Sequence, residues 1–229
     1  MIETATGLVL RTRPLTETSL IVQWLTPELG RLATVAKGAR RPKSPFRGKL
    51  DLFYLADFSF ARSRRSELHT LREVGVRETH AVLRQDLSAL QQASYCAALV
   101  EQSTETETPL PAVYELLLRL LSRLTGGPPQ PETVFAFELK LLKELGLQPP
   151  SPRYGLDAGA QQILRTLTDG DWELIARLKC NAVQLRAVGQ FLFGFLTYHL
   201  DKVPGGRNLA IQQPGFAVAP VRVTRASGE

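Results

Sequence analysis

The apolar residues of this chain change their spacing near residue 80, and no single class of secondary structure satisfies both parts. Before that point they fall in short runs rich in β-branched and aromatic residues: "TGLVLRTR", "SLIVQWLT", "RLATVAKG", "KLDLFYLADFSFA" and "SELHTLREVGV". Turn-forming residues separate the runs at Pro14, Pro27 to Gly30, Pro42 to Gly48 and Arg62 to Ser66. Leu20, Val22 and Trp24 alternate imperfectly with Ile21, Gln23 and Leu25, as expected of strands with both faces partly covered. Five strands in about 80 residues predict a small closed barrel of the OB type.

From His80 onward the spacing is three and four. Leu83, Leu87 and Leu90 follow it, as do Val113, Leu116, Leu117, Leu120, Leu121 and Leu124, so amphipathic helices are predicted. "TGGPPQP" ends one helix, Pro131-Glu132 opens the next, and Gly146 is placed to cap it. Beyond "LQPPSPRYG" a short helix is predicted around Ile163. Another runs from Trp172 to Leu178 with Asp171 as its cap, and a long one carries Leu185, Val188, Leu192 and Phe195. The fold class is therefore α+β and multidomain: a five-stranded OB-type barrel over residues 1–79, then an all-α helical domain over 80–203. Residues 204–229, rich in Gly, Pro and Arg, are expected to be irregular.

Charge divides the chain at the same place. Residues 1–80 hold 14 Lys and Arg against 8 Asp and Glu, whereas the remaining residues hold 14 against 14, so the whole net charge of +6 arises in the first part. Its centre is "KGARRPKSPFRGK", in which Lys37, Arg40, Arg41, Lys43, Arg47 and Lys49 meet no carboxylate. A solvated loop is the plain reading of such a run. Three features favour a polyanion site: the cluster starts directly after a strand, Gly38 and Gly48 permit close backbone approach, and Arg forks are combined with Lys point charges. Phe46 is placed either to stack on a base or to anchor the loop in the core.

No catalytic constellation accompanies this loop. Gly48-Lys49 is followed by Leu50 and has no upstream glycine at phosphate-loop spacing, and GxGxxG, HExxH and GxSxG are missing. His69, His80 and His199 are scattered, and Cys96 and Cys180 lie far apart in helical stretches, so no catalytic residue, cofactor or metal site is expected. "MIETATGLVL" lacks the features of a signal peptide and no apolar run approaches the ~18 residues of a membrane span. A cytoplasmic protein with no membrane partner is expected.

The stretch from Gly7 to Phe53 closely resembles the N-terminal domain of the RecO family of bacterial recombinational-repair mediators. The resemblance rests on Glu17 to Leu20, Thr26 to Gly30, and Val35 to Arg40 with Lys43-Ser44. It continues more weakly through "FELKLLKELGLQP" and "FLTYHLDKVPGGRNL". It implies an OB domain that binds single- and double-stranded DNA, joined to a helical domain that contacts proteins. It further implies a nucleoid-associated protein that anneals complementary strands coated by single-stranded-DNA-binding protein and, with RecR, assists RecA loading. Many relatives carry a four-cysteine zinc subdomain where this chain has only a short cysteine-free linker at about 147–160, so the metal site is expected to be lost. Relatives often place arginine before the Phe-Glu-Leu motif, where this chain has Phe135 and Ala136.

The resemblance also implies a seat for the acidic, aromatic-ended tail of the single-stranded-DNA-binding protein. One candidate is Lys140 and Lys143, flanked by Leu139, Leu142, Phe135 and Phe137; the other is Arg119 and Arg123, with Glu115 one turn before Arg119. Ordinary surface ion pairs would account for either pair. Two other classes fit the same residues: an OB-fold RNA-binding protein of translation or RNA maturation, and an adaptor whose cationic loop docks an acidic protein surface.

Overall fold

The computed structural model describes residues 1–149, 155–200 and 202–211. Five strands, β1 (Ile2–Pro14), β2 (Leu20–Thr26), β3 (Gly30–Ala36), β4 (Leu55–Ala61) and β5 (Leu68–Glu78), close into a barrel in the order β1-β2-β3-β5-β4. All neighbours are antiparallel except β3 and β5, which pair in parallel over Ala33–Val35 and Leu68–Thr70. β1 serves both edges: its first half pairs with β4 and its second half with β2, with a register shift between Val9 and Arg11.

Alternation assigns each strand two jobs. Val9, Val22, Trp24, Leu32, Ala36, Phe58, Phe60, Leu71 and Val74 fill the barrel, with Trp24 stacked on Phe58 at 4.1 Å and its indole N–H donating to Thr34 Oγ1 at 2.8 Å. The intervening Leu8, Leu10 and Leu25 point outward into the core of the helical part. The imperfect alternation of β2 thus reflects a strand covered on both faces.

After a 3-10 turn at Ala81–Gln85 come α1 (Leu87–Ser103), α2 (Pro111–Thr125), α3 (Pro131–Glu144), α4 (Ala158–Asp169), α5 (Trp172–Ala176), α6 (Ala182–Leu200) and α7 (Arg207–Ile211). Their ends obey local chemistry. Asp86 accepts from Ser88 N and Ala89 N, Asp157 from Ala160 N, and Asp171 from Leu174 N, each occupying backbone donors that the helix leaves unpaired. Asn181 and Gln184 exchange side-chain and backbone hydrogen bonds ahead of α6. At the end of α3, Gly146 takes a φ of 72°, and Leu147 N donates to Leu142 O at 2.8 Å while Gly146 N donates to Lys143 O at 3.0 Å, closing a Schellman motif. Among the described residues no helix is long and apolar enough to cross a membrane.

Three local expectations need correction. Leu83, Leu87 and Leu90 do not share a helix: Asp86 is extended and starts α1 afresh, leaving Leu83 buried in the 3-10 turn and Leu87 exposed. Phe135 and Phe137 do not flank a surface slot, because both are fully buried. The stretch after Val203 is not wholly irregular, since it contains α7. Arg207 secures that helix by a buried fork onto Glu138 of α3, Nε to Oε1 at 2.6 Å and Nη2 to Oε2 at 2.9 Å, and Tyr95 of α1 donates to the same carboxylate at 2.7 Å. Burial opposes the charge on Arg207, but Glu138 outweighs it and holds the guanidinium pKa above its ordinary value. Part of the linker expected at 147–160, residues 150–154, lies outside the described residues, as do residues 212–229 of the tail.

Candidate nucleic-acid interface

The basic run forms the β3–β4 crossing loop, and backbone hydrogen bonds hold it in a defined shape. Arg40 N donates to Thr18 O at 2.9 Å and Gly38 N to Ser19 Oγ at 3.4 Å, tying its start to the β1–β2 turn. Successive turns follow: Ser44 N to Arg41 O, Arg47 N to Ser44 O and Lys49 N to Phe46 O. Arg47 Nη1 reaches back across the loop to Pro42 O at 3.2 Å. Gly38 and Gly48 take φ of 68° and 71°, a conformation that other residues adopt only with strain.

Lys37, Arg40, Arg41, Lys43, Arg47 and Lys49 are all exposed, and none makes an ion pair with a described residue. Phe46 resolves its two readings in favour of the anchor: it is buried in the barrel core. Between the cations lies a feature that charge counting does not reveal. Leu20, Ala39, Phe46 and Leu50 floor a cavity of about 400 Å³ whose rim is Arg40, Arg41 and Arg47. Leu50 follows the basic run directly, whereas Leu20 opens β2 and nothing in the sequence marks it as part of this cavity.

The face of an OB barrel most often used for oligonucleotides is that of β2 and β3. Here residues 101–108, the last residues of α1 and the segment that follows it, cover its end nearest the β2–β3 turn. Arg31 Nε donates to Thr104 Oγ1 at 2.8 Å and Glu107 N to Arg31 O at 2.7 Å, with a bridge between Arg31 and Thr106. Glu101 pairs with Arg11 at 3.4 Å. Glu107 accepts from Arg62 at 2.8 Å and from His69 Nε2 at 2.6 Å; His69 Nδ1 accepts from Ser63 N, which assigns the proton to Nε2. The acidic segment therefore pairs with Arg11 and Arg62 at this end of the barrel, while the cations of the β3–β4 loop make no ion pair with a described residue.

In the helical part, Arg119, Lys140 and Lys143 line one groove of about 470 Å³ together with Leu116, Trp172 and the α4–α5 turn. Lys140 Nζ donates to Thr168 O at 3.0 Å and Gly170 O at 2.6 Å; burial pushes its pKa down, and Lys143 adds to this. Lys143 pairs with Asp169 at 2.8 Å, which raises its pKa. Arg119 is exposed and no ion pair joins it to Glu115. Arg123 lies elsewhere, with Nη2 on Pro128 O at 3.3 Å and Gln130 Oε1 at 3.5 Å across the α2–α3 turn. Glu115, Glu144, Asp169 and Asp171 share the groove with its three cations, so its rim is mixed in sign. No group of three or more His, Cys, Asp or Glu able to hold a metal occurs among the described residues.

Comparison with known proteins places this architecture. Residues 1–80 match the family model described as "Recombination protein O N terminal" and residues 84–153 the one described as "Recombination protein O C terminal". A protein of Exiguobacterium sibiricum named DNA repair protein RecO is 35% identical over 149 residues, 65% of this chain and 59% of that protein. Namesakes from Anaeromyxobacter sp. (strain K) and Bacillus subtilis are 35% identical over 144 residues and 33% over 149. These alignments take in 57% and 58% of the two relatives, so the matched stretch spans less than two thirds of any of the three. With the N-terminal model on the barrel and the C-terminal model on the helices that follow, in that order, the chain belongs to the recombination protein O (RecO) family.

Proposed function

We propose that this chain is a DNA-binding mediator of recombinational DNA repair whose barrel, residues 1–79, holds the DNA. The observation that carries the reading is the β3–β4 loop: six cations free of carboxylates, on a backbone tied to the barrel rim. The relatives' shared name, DNA repair protein, supports the polyanion being DNA. Lys37, Arg40, Arg41, Lys43, Arg47 and Lys49 contact phosphates of single and double strands, which is the chemistry strand annealing needs. The helical domain, residues 80–203, contacts RecR and the tail of single-stranded-DNA-binding protein, and so assists RecA loading on covered single strands.

The test is the salt dependence of binding to single-stranded DNA. If four to six phosphates are neutralised, log K falls against log salt with a slope of about −3 to −4, at about −0.7 per contact. Arg40→Glu with Arg41→Glu should flatten the slope by about 1.4 and weaken binding to all sequences alike. An unchanged slope in that variant places the DNA elsewhere, and a preference for matched RNA over DNA oligonucleotides replaces the DNA reading by the RNA one.

For the tail peptide, the groove of Arg119, Lys140 and Lys143 is supported by three cations converging beside Trp172, and opposed by its four carboxylates. Lys143 and Arg119 are the informative positions, because Lys140 also holds the α4–α5 turn. Arg119→Glu with Lys143→Glu should weaken a fluorescent tail peptide about tenfold, at roughly 1.4 kcal/mol for two rim charges, while Arg123→Glu leaves it unchanged. The reverse pattern moves the peptide to the α2–α3 turn.

A further inference from the structure

Phosphate contact explains the cations of the β3–β4 loop but not the hollow between them. Phosphate contact needs charge and hydrogen-bond donors, not apolar surface. A concave floor made of Leu20, Ala39, Phe46 and Leu50, ringed by Arg40, Arg41 and Arg47, is suited to a flat apolar body that carries negative charge at its edge. A nucleotide has that form.

We infer that this cavity receives one unpaired nucleobase of a DNA strand, its face on the floor of Leu20, Ala39 and Leu50 and its flanking phosphates on Arg40, Arg41 and Arg47. The inference rests on the loop being the DNA site and adds what the loop reads there. The volume of about 400 Å³ lies at the lower end of the ~300–1,000 Å³ found for small-molecule sites, a scale that suits one base with its sugar. Bases of an intact duplex stay in the stack, so only an unpaired or extruded base enters. The cavity therefore makes a loop whose charges attract any DNA favour single strands.

The walls are set before binding. Phe46 is fixed in the barrel core, Arg47 is held to Pro42 O, and Arg40 is tied through its N–H to Thr18 O. A preformed site loses less to ordering when it is filled. The lining contains no carboxamide or carboxylate side chain, so its side chains offer no acceptor to a base edge. Stacking on its apolar floor is open to every base, since each has a π-face.

The experiment compares a thymidine oligonucleotide with an abasic strand of equal length, over a series of salt concentrations, in the wild type and in Ala39→Leu. The substitution fills the cavity and leaves every cation in place. The wild type should bind the abasic strand about fivefold or more weakly, with an unchanged salt slope. Ala39→Leu should bind the thymidine strand as weakly as the abasic one, and duplex DNA as the wild type does. Leu50→Ala, which removes floor instead of filling the cavity, should also shrink the abasic penalty, and unchanged thermal unfolding of each variant secures the comparison. Equal binding of both strands by the wild type overturns the inference, as does an abasic penalty that survives intact in Ala39→Leu, since the base is then held elsewhere. Either result leaves DNA binding by the loop standing if Arg40→Glu with Arg41→Glu still flattens the salt slope. If that variant binds like the wild type, the loop is not the DNA site and both readings fall.

Discussion

Arg207→Met should be among the most destabilising single substitutions in this chain. The guanidinium is 6% exposed and the Glu138 carboxylate 0%, so the pair is shut off from water. Removing one partner of a buried pair costs about 3–5 kcal/mol, because the other charge stays behind. Urea unfolding followed by far-UV circular dichroism at pH 7 measures it. Glu138→Leu combined with Arg207→Met should recover part of the loss, since no charge is then left unpaired while the buried Tyr95 hydroxyl loses its acceptor. A deficit of about 1 kcal/mol or less at pH 7 would refute the reasoning and mean that α7 is not held by this pair.

Two further substitutions probe the body that carries the sites. Burial raises the pKa of Glu132, in the first turn of α3, so the folded chain holds its proton to higher pH than the unfolded chain and loses stability as pH rises through that window; Glu132→Gln should raise the melting temperature at pH 7 and have no effect below about pH 4. Gly30 has a φ of 66° and a Cβ there would overlap the backbone of Thr108, so Gly30→Ala should cost at least the ~1–2 kcal/mol of a left-handed residue and speed amide exchange at residues 104–108, and unchanged exchange there would show that the segment is not seated on β3.

The barrel was legible because each of its turns is written in local chemistry, with Pro27 to Gly30 and Pro42 to Gly48 interrupting runs of β-branched residues. What escaped reading was set by distant partners. "IETAT" at the start of β1 has no apolar alternation of its own; it is a strand because β4 pairs with it from Ile2↔Ala61 onward and Asp57 accepts from Thr6 Oγ1 at 2.6 Å. α7 follows two glycines and spans five residues, too short to hold itself together. Its stability comes from Glu138, 69 residues away. Neither the sheet edge nor the buried carboxylate leaves a mark on the segment it stabilises.

The same distinction separates the two sets of candidate cations. In the β3–β4 loop, braced on its own turns and on the neighbouring β1–β2 turn, the six cations enter no ion pair with a described residue, although Lys49 shares a groove with Glu28, Asp57 and Glu73. Charge that meets no carboxylate in the sequence thus stays largely unpaired in the fold. On α3, Lys140 and Lys143 look equivalent, three residues apart on one face. The packing of α4 and α5 then assigns them different tasks: the carbonyls of Thr168 and Gly170 take Lys140, and the Asp169 carboxylate takes Lys143. Charge on a packed helix face thus says little about function until its neighbours are known, whereas charge on a self-braced loop keeps the meaning it has in the sequence.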